Sequence, residues 1–317
     1  MSRKAVLSIL ASLSAVFVIA GSAFAVQFVN ITTASTKGTY YPVGVAMAKI
    51  WNDNISDFKA GVQTSGGTVH NIQLMESKEA DVAFMDGVSY PAFMGTGSYE
   101  GTPKKFIRAM VPLFPEVVQL IVAKDSGINS LEDFRGKKIS IGAVASGTEV
   151  MARQLLSVAG IDPDKDISPE RLSIADTAKA FADKRIDGAV FVGSLGVPGV
   201  VEMTTLGLVR FIDVPEEHLK KVLADLPAWT AFQIPSDTYP NQNEPVQGYA
   251  SWNMLTVRDD VPDDLVYEMT KLLYDNKNDL VMVAEKMKLM DPKNLDQVVL
   301  PLHPGAKRYY DEIEASK

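Results

Sequence analysis

The chain has 317 residues, no cysteine, and 39 acidic against 31 basic side chains, for a formal charge of −8. That balance excludes a nucleic-acid binder, whose surface needs lysine and arginine to neutralise phosphates. The absent thiols exclude disulfides, a thiolate nucleophile and a lipid-modified N-terminal cysteine, so the fold must rest on its core.

In chain order, residues 1–25 read as an export signal. Arg3 and Lys4 form a basic start, Ala5 to Ala20 is mostly apolar, and Ala23-Phe24-Ala25 supplies a small-x-small cleavage site. The apolar run of 16 residues is shorter than the roughly 20 that span a bilayer. The expectation is cleavage after Ala25 and a periplasmic chain from Val26. Without Arg3 and Lys4 the 31 basic residues fall to 29 against 39 acidic ones, net −10. What remains is long enough for one large or two medium domains.

Gln27 to Thr33 is a β-like run, followed by the small, polar loop Ala34-Ser35-Thr36-Lys37-Gly38-Thr39 and then Tyr40-Tyr41-Pro42. Proline suits a first helical turn, and Val43, Ala46, Met47, Ile50 and Trp51 keep helical spacing. A second unit repeats the pattern: strand from Ala60 to Thr64, loop Ser65-Gly66-Gly67-Thr68, helix from Val69 to Lys78. Ala80 to Met85 is a buried strand ending at Asp86-Gly87. From Ile107 to Val122 two apolar runs flank Pro112 and Pro115, and Gln119 to Val122 looks like a strand leaving one domain.

Lys138 to Ile141 is a short strand entering Gly142-Ala143-Val144-Ala145. Ser146-Gly147-Thr148-Glu149 then has the S-x-x-E spacing of a capping box. Met151, Leu155, Val158 and Ala159 line one face of the helix that follows, and Gly160 stops it. Arg171 to Ile174 is strand-like, Thr177 to Lys184 helical, and Asp187 to Val192 a buried strand. Pro227 to Pro245 reads as a long loop and Tyr249 to Val257 as a strand. Asp263 to Asp275 and Leu280 to Met290 are amphipathic, and a last helix starts at His303-Pro304.

The two halves rhyme. Each runs strand, small-residue loop, helix, strand, helix, and then a buried strand opening Asp81-Val82-Ala83 or Asp187-Gly188-Ala189. Alternating β and α elements predict parallel sheet with helices on both faces. Two such units predict two α/β lobes, each a mixed sheet flanked by helices, with the ligand between them. Returning the tail to the first lobe makes two crossover strands the hinge. The lobes are then residues 26–120 with 250–317, and 121–249.

Enzyme signals are poor. His70, His218 and His303 are scattered, with His218 in the charged run Glu216 to Lys221 that reads as a solvated helix. No G-x-S-x-G or H-E-x-x-H occurs. Asp162-x-Asp164-x-Asp166 imitates a calcium loop, but Ile167 stands where that loop needs glycine. Gly95-Thr96-Gly97-Ser98 lacks the lysine of a phosphate loop and reads as a turn. No catalytic activity, metal or cofactor is expected. What remains is a set of loops at the carboxyl ends of predicted parallel strands, where open α/β sheets bind ligands. They offer hydroxyls and N–H groups for a small anion.

Several stretches resemble the TAXI-type solute-binding proteins of TRAP (tripartite ATP-independent periplasmic) transporters. They are Ser35-Thr36-Lys37-Gly38-Thr39-Tyr40-Tyr41-Pro42, Thr64 to Thr68, Leu113 to Leu120, Gly142 to Arg153, Asp237 to Gln242, and Pro304-Gly305-Ala306 with Tyr309-Tyr310. The order is collinear over nearly all the chain after residue 25. The resemblance implies a type II periplasmic binding protein with a two-strand hinge. It would act as a monomer, close on glutamate or a related amino, 2-oxo or dicarboxylic acid, and deliver it to a permease of fused small and large integral subunits. A sensing subunit that presents the same solute to a signalling receptor is the alternative.

The ligand-binding residues expected are Thr36, Lys37, Gly38, Thr39 and Tyr40; Ser65, Gly66 and Thr68; Asp86 and Glu116; Ser146, Gly147 and Thr148; and Phe191, Gly193 and Ser194. Departures from the family occur at Lys37, where glycine is usual, and at Met85-Asp86-Gly87-Val88. Lys37 could pair with a ligand carboxylate, Asp86 with a ligand ammonium or a protein group, and Glu116 is read as an interlobe hydrogen-bond residue. Tyr40 and Phe191 are read as pocket wall or core.

Overall fold

A computed structural model describes residues 26–36, 38–224, 226 and 228–316; the expected signal segment lies outside the described residues. The first half runs β1 (Gln27–Thr32), α1 (Tyr40–Asn54), β2 (Phe58–Gln63), α2 (Thr68–Glu76), β3 (Val82–Met85), α3 (Ser89–Met94) and the long β4 (Ile107–Ala123). The second runs β5 (Lys138–Ser140), α4 (Gly147–Val158), β6 (Ser168–Glu170), α5 (Ile174–Ala182), β7 (Gly188–Gly193), α6 (Pro198–Thr205), β8 (Val209–Ile212), α7 (Glu216–Ala224), β9 (Thr230–Ile234) and the long β10 (Val246–Arg258). The tail adds α8 (Asp263–Asp275), α9 (Lys277–Val283) and α10 (Pro304–Ala315).

Asp81 and Asp187, which open the two rhyming runs, do the same physical work. Each precedes a strand and accepts a backbone N–H from the neighbouring parallel strand: Asn30 on β1 gives Asp81 a 2.9 Å bond, and Lys138 on β5 gives Asp187 one of 2.8 Å. Their own N–H groups return to the Asn30 and Lys138 carbonyls. A carboxylate thus staples the start of β3 to β1 and of β7 to β5, a charge-assisted bond stronger than a neutral one.

The sheet order is β2-β1-β3-β10-β4-β7-β5-β6. Parallel trios stand at the two ends, β1 between β2 and β3, and β5 between β6 and β7. The antiparallel pair β10 and β4 joins them. The inner strands β3 and β7 are covered on both faces. Along β3, Val82 and Phe84 enter one core and Ala83 and Met85 the other. Along β7, Val190 and Val192 enter one and Ala189 and Phe191 the other. That is why these strands read as continuous apolar runs. The result is a two-lobed α/β fold of the periplasmic binding protein kind, a curled mixed sheet flanked by helices.

Four expectations need correction. The apolar runs around Pro112 and Pro115 form one 17-residue strand. β10 takes one edge of β4, while β7 takes the other only from Val117 onward, so a missing proline N–H costs no bond to β7. Arg171 to Ile174 is not a strand. β6 ends at Glu170, and Ser173 caps α5 by accepting from the Asp176 N–H. The Pro227 to Pro245 region contains β9, paired with β10 from Thr230 to Ile234. Leu280 to Met290 is not one helix: α9 ends at Val283, Ala284 is extended (φ −149°, ψ 114°), and a 3-10 turn runs Glu285–Leu289.

Candidate functional site

The six strands of the parallel trios all point their carboxyl ends at one cavity of about 840 Å³, counting space open to solvent. Fourteen of the sixteen expected residues line it: Gly38, Thr39 and Tyr40 after β1; Ser65, Gly66 and Thr68 after β2; Asp86 after β3; Glu116 on β4; Ser146, Gly147 and Thr148 after β5; and Phe191, Gly193 and Ser194 at the end of β7. Thr36 is exposed in its turn and is not among the lining residues. Lys37 lies outside the described residues.

The start of α4 follows the expected cap, with one shift. Ser146 Oγ accepts from the Glu149 N–H at 3.0 Å, but Glu149 Oε2 reaches past the cap to the Ala145 N–H at 3.1 Å. Burial raises the Glu149 carboxyl, but Arg171, the Ala145 N–H and Arg153 outweigh it and hold it below the usual range. Ala145 is left-handed (φ 56°), a strain of about 1 kcal/mol for a residue with a Cβ. Both its backbone groups are tied: its carbonyl accepts from the His70 N–H of α2 at 2.9 Å. That bond joins the lobes.

The lobes also approach each other closely where their loops face across the cavity. A Cβ built on Gly147 would lie 2.2 Å from Asp86 Oδ2, and one on Gly66 would lie 2.5 Å from the Val144 carbonyl. The Thr39 and Ser194 hydroxyls are 3.1 Å apart. Loop glycines are therefore needed here because the opposite lobe fills the space a side chain would take.

This changes the anion picture drawn from the loops. The Gly66 and Gly67 N–H groups donate to His70 Nδ1 and Ser65 Oγ, and the carboxylate standing against the first turn of α4 is Asp86. Asp86 also accepts from the Val88 N–H at 2.9 Å and bonds the Thr68 hydroxyl. Burial nonetheless pushes it up to about 6.

Glu116 does not bridge the lobes through a hydrogen bond. It is buried beside Tyr40 and Asn253, where Tyr40 donates to Asn253 Oδ1. Burial and then the Asp86 charge push it up to about 7, against the pull of Asn253, Tyr40 and Lys286. Tyr40 serves as wall and core together, its ring stacked on Phe84 at 4.9 Å. Phe191 likewise lines the cavity and packs in the core, folded over Gly193, where a Cβ would meet its ring at 2.7 Å.

Residues missed from sequence complete the site. Ser140 and Thr177, 2.9 Å apart, and Ser173 add hydroxyls, while Leu172, Ile174, Val190 and Val197 add apolar wall. The Ser173-x-x-Asp176 cap was a legible signal for α5. Lys286 had none. Its ammonium reaches Ser194 Oγ, the Leu195 carbonyl at 3.0 Å and Thr39 Oγ1 at 3.3 Å. Burial brings it down to about 8 despite Glu116 nearby.

His218 is not on a solvated face. It is buried and bonds Glu132 Oε1 through Nε2 at 2.7 Å. With Glu217 these groups come within 4.8 Å outside the cavity; the His218–Glu132 pair accounts for the arrangement. No described helix is long and apolar enough to cross a membrane.

A model of the NMT1-like family matches residues 31–313. Among solved structures, MatC from Rhodopseudomonas palustris with bound malate is similar at 12% identity, covering 90% of this chain and 98% of that one, with a TM-score of 0.57. A Streptococcus mutans structure from work on glutathione import through GshT and a cystine ABC importer is similar at 15% identity, 82% and 94% coverage and TM-score 0.51. A putative L-cystine ABC transporter structure from Listeria monocytogenes is similar at 13% identity, 83% and 96% coverage and TM-score 0.51.

Proposed function

The chain belongs to the NMT1-like family, and from that premise we propose that it is a periplasmic solute-binding subunit. It captures a small organic acid between its lobes and delivers it to a membrane permease. The observation that carries this reading is the cavity itself, lined from all six parallel strands by glycines and hydroxyls and rimmed by lobe-to-lobe contacts. Binding then works by differential affinity: a solute touching both lobes stabilises only the closed arrangement. We place the lobes at residues 26–120 with 250–317 and at 121–249, hinged on β4 and β10. The β10–β4 register is irregular between Trp252 and Thr256, and irregularities of that kind let paired strands bend, which supports a hinge in this pair.

Two buried carboxyls favour a solute that brings a cation, so an amino acid of the glutamate type fits better than a 2-oxo or dicarboxylic acid. The ammonium would address Asp86 and Glu116; the carboxylates would address the hydroxyls of Thr148, Ser173 and Thr177. The G-T-Y-Y-P stretch and its collinear companions support a TRAP-type permease as the partner. A thermal-shift screen of amino acids and organic acids tests the reading. At a hundredfold excess over Kd a true ligand adds about 2.7 kcal/mol, and L-glutamate should shift the midpoint more than 2-oxoglutarate. No shift from any carboxylate in the screen would sink it.

A further inference from the structure

We infer that Lys286 is a positioning residue for solute capture: a cation on one lobe that sets the closed spacing of the cavity by holding the end of β7 on the other. This rests on the reading that the lobes separate and close. An ammonium has three N–H donors, and Lys286 spends them on Ser194 Oγ and the Leu195 carbonyl beyond β7, and on Thr39 Oγ1 beside β1. Thr39 and Ser194 are cavity residues, so this one group fixes where two solute-facing hydroxyls stand.

The backbone is built to deliver it. The extended Ala284 breaks the helical run, and the 3-10 turn is anchored by Met287, buried in the first-lobe core. Between those two fixed points Lys286 is turned toward the second lobe. Its ring neighbour is Phe114 on β4, 5.8 Å away, and the charged group facing it is Glu116 on the same strand. The partners across the gap are neutral oxygens, and among the described residues no carboxylate comes within ion-pair distance of Lys286. A grip of that kind exchanges readily with water when the lobes part, which suits a contact made and broken in each cycle. A short ion pair would hold them shut.

The test uses the absence of cysteine in the sequence. Spin labels at Lys59→Cys and Lys179→Cys, exposed positions on β2 and α5, report the lobe-to-lobe distance by double electron–electron resonance without added solute. Replacing Lys286 with methionine should cut the ratio of short to long distances about tenfold, the worth of a charge-assisted hydrogen bond, with the unfolding midpoint unchanged. K286R, which keeps charge and donors, should restore the short distances. S194A, which removes one acceptor from the far side, should shift the ratio the same way by less, and stands in if K286M does not fold. Distance distributions in these variants that match the parent's would overturn the role of Lys286. A parent with one fixed distance, unmoved by saturating L-glutamate, would overturn lobe closure itself.

Discussion

Asp86 and Glu116 are buried acids whose folded pKa values, about 6 and about 7, lie above the ordinary carboxylate range. The sign follows from proton counting. Above about pH 4 the unfolded chain releases protons that the folded chain retains, so stability falls as pH rises toward 7. Urea unfolding should therefore show the protein a few kcal/mol more stable at pH 5 than at pH 8, with Asp86→Asn flattening that slope. An ammonium-bearing solute should flatten it too, by favouring the ionised carboxyls. Asp86 was legible in the sequence as a carboxylate ending an apolar strand. Lys286 was not, because Leu280 to Met290 carries helical spacing, and neither proline nor glycine announces the break at Ala284.

At the scale of an element, the start of α4 shows how a helix terminus can be both capped and contested. Its capping pair was readable from Ser146 and Glu149, but the presence of Asp86 opposite Gly147 required knowing that the other lobe comes so close. Gly147→Ala separates the two effects. Alanine favours the helix by up to about 1 kcal/mol, so the unliganded protein should unfold at the same temperature or higher. A Cβ there would lie 2.2 Å from Asp86 Oδ2; under the proposed closure that clash arises only when the lobes come together, so calorimetric affinity for the solute found in the screen should drop at least about tenfold. Thr148→Val should abolish binding while leaving the fold intact; retained affinity would remove Thr148 from the site. β9 was missed for a plainer reason, since the prolines around Thr230 to Ile234 mask a strand of only five residues.

At the scale of the molecule, the rhyme between halves proved physical: the repeated D-x-A opening is a repeated staple. Asp81 also lies 3.6 Å from the Arg258 guanidinium, which Asp187 lacks among the described residues. Asp81→Ala should therefore cost more than Asp187→Ala in chemical denaturation, both within about 1–3 kcal/mol; equal losses would mean the Arg258 contact contributes nothing. The central position of β10 has a consequence for how the chain comes to be folded. β3 finds its second neighbour only in β10, and the Thr256 hydroxyl reaches the Ala83 carbonyl across 173 residues. β7 finds its second neighbour much nearer along the chain, in β4, where Leu120 stands against Val190. Loop closure grows dearer with the length of chain enclosed, so the half that is read second should mature first. The opening residues then wait, part-folded, for nearly the whole polypeptide to arrive. Pulsed hydrogen exchange during refolding should protect β7 before β3.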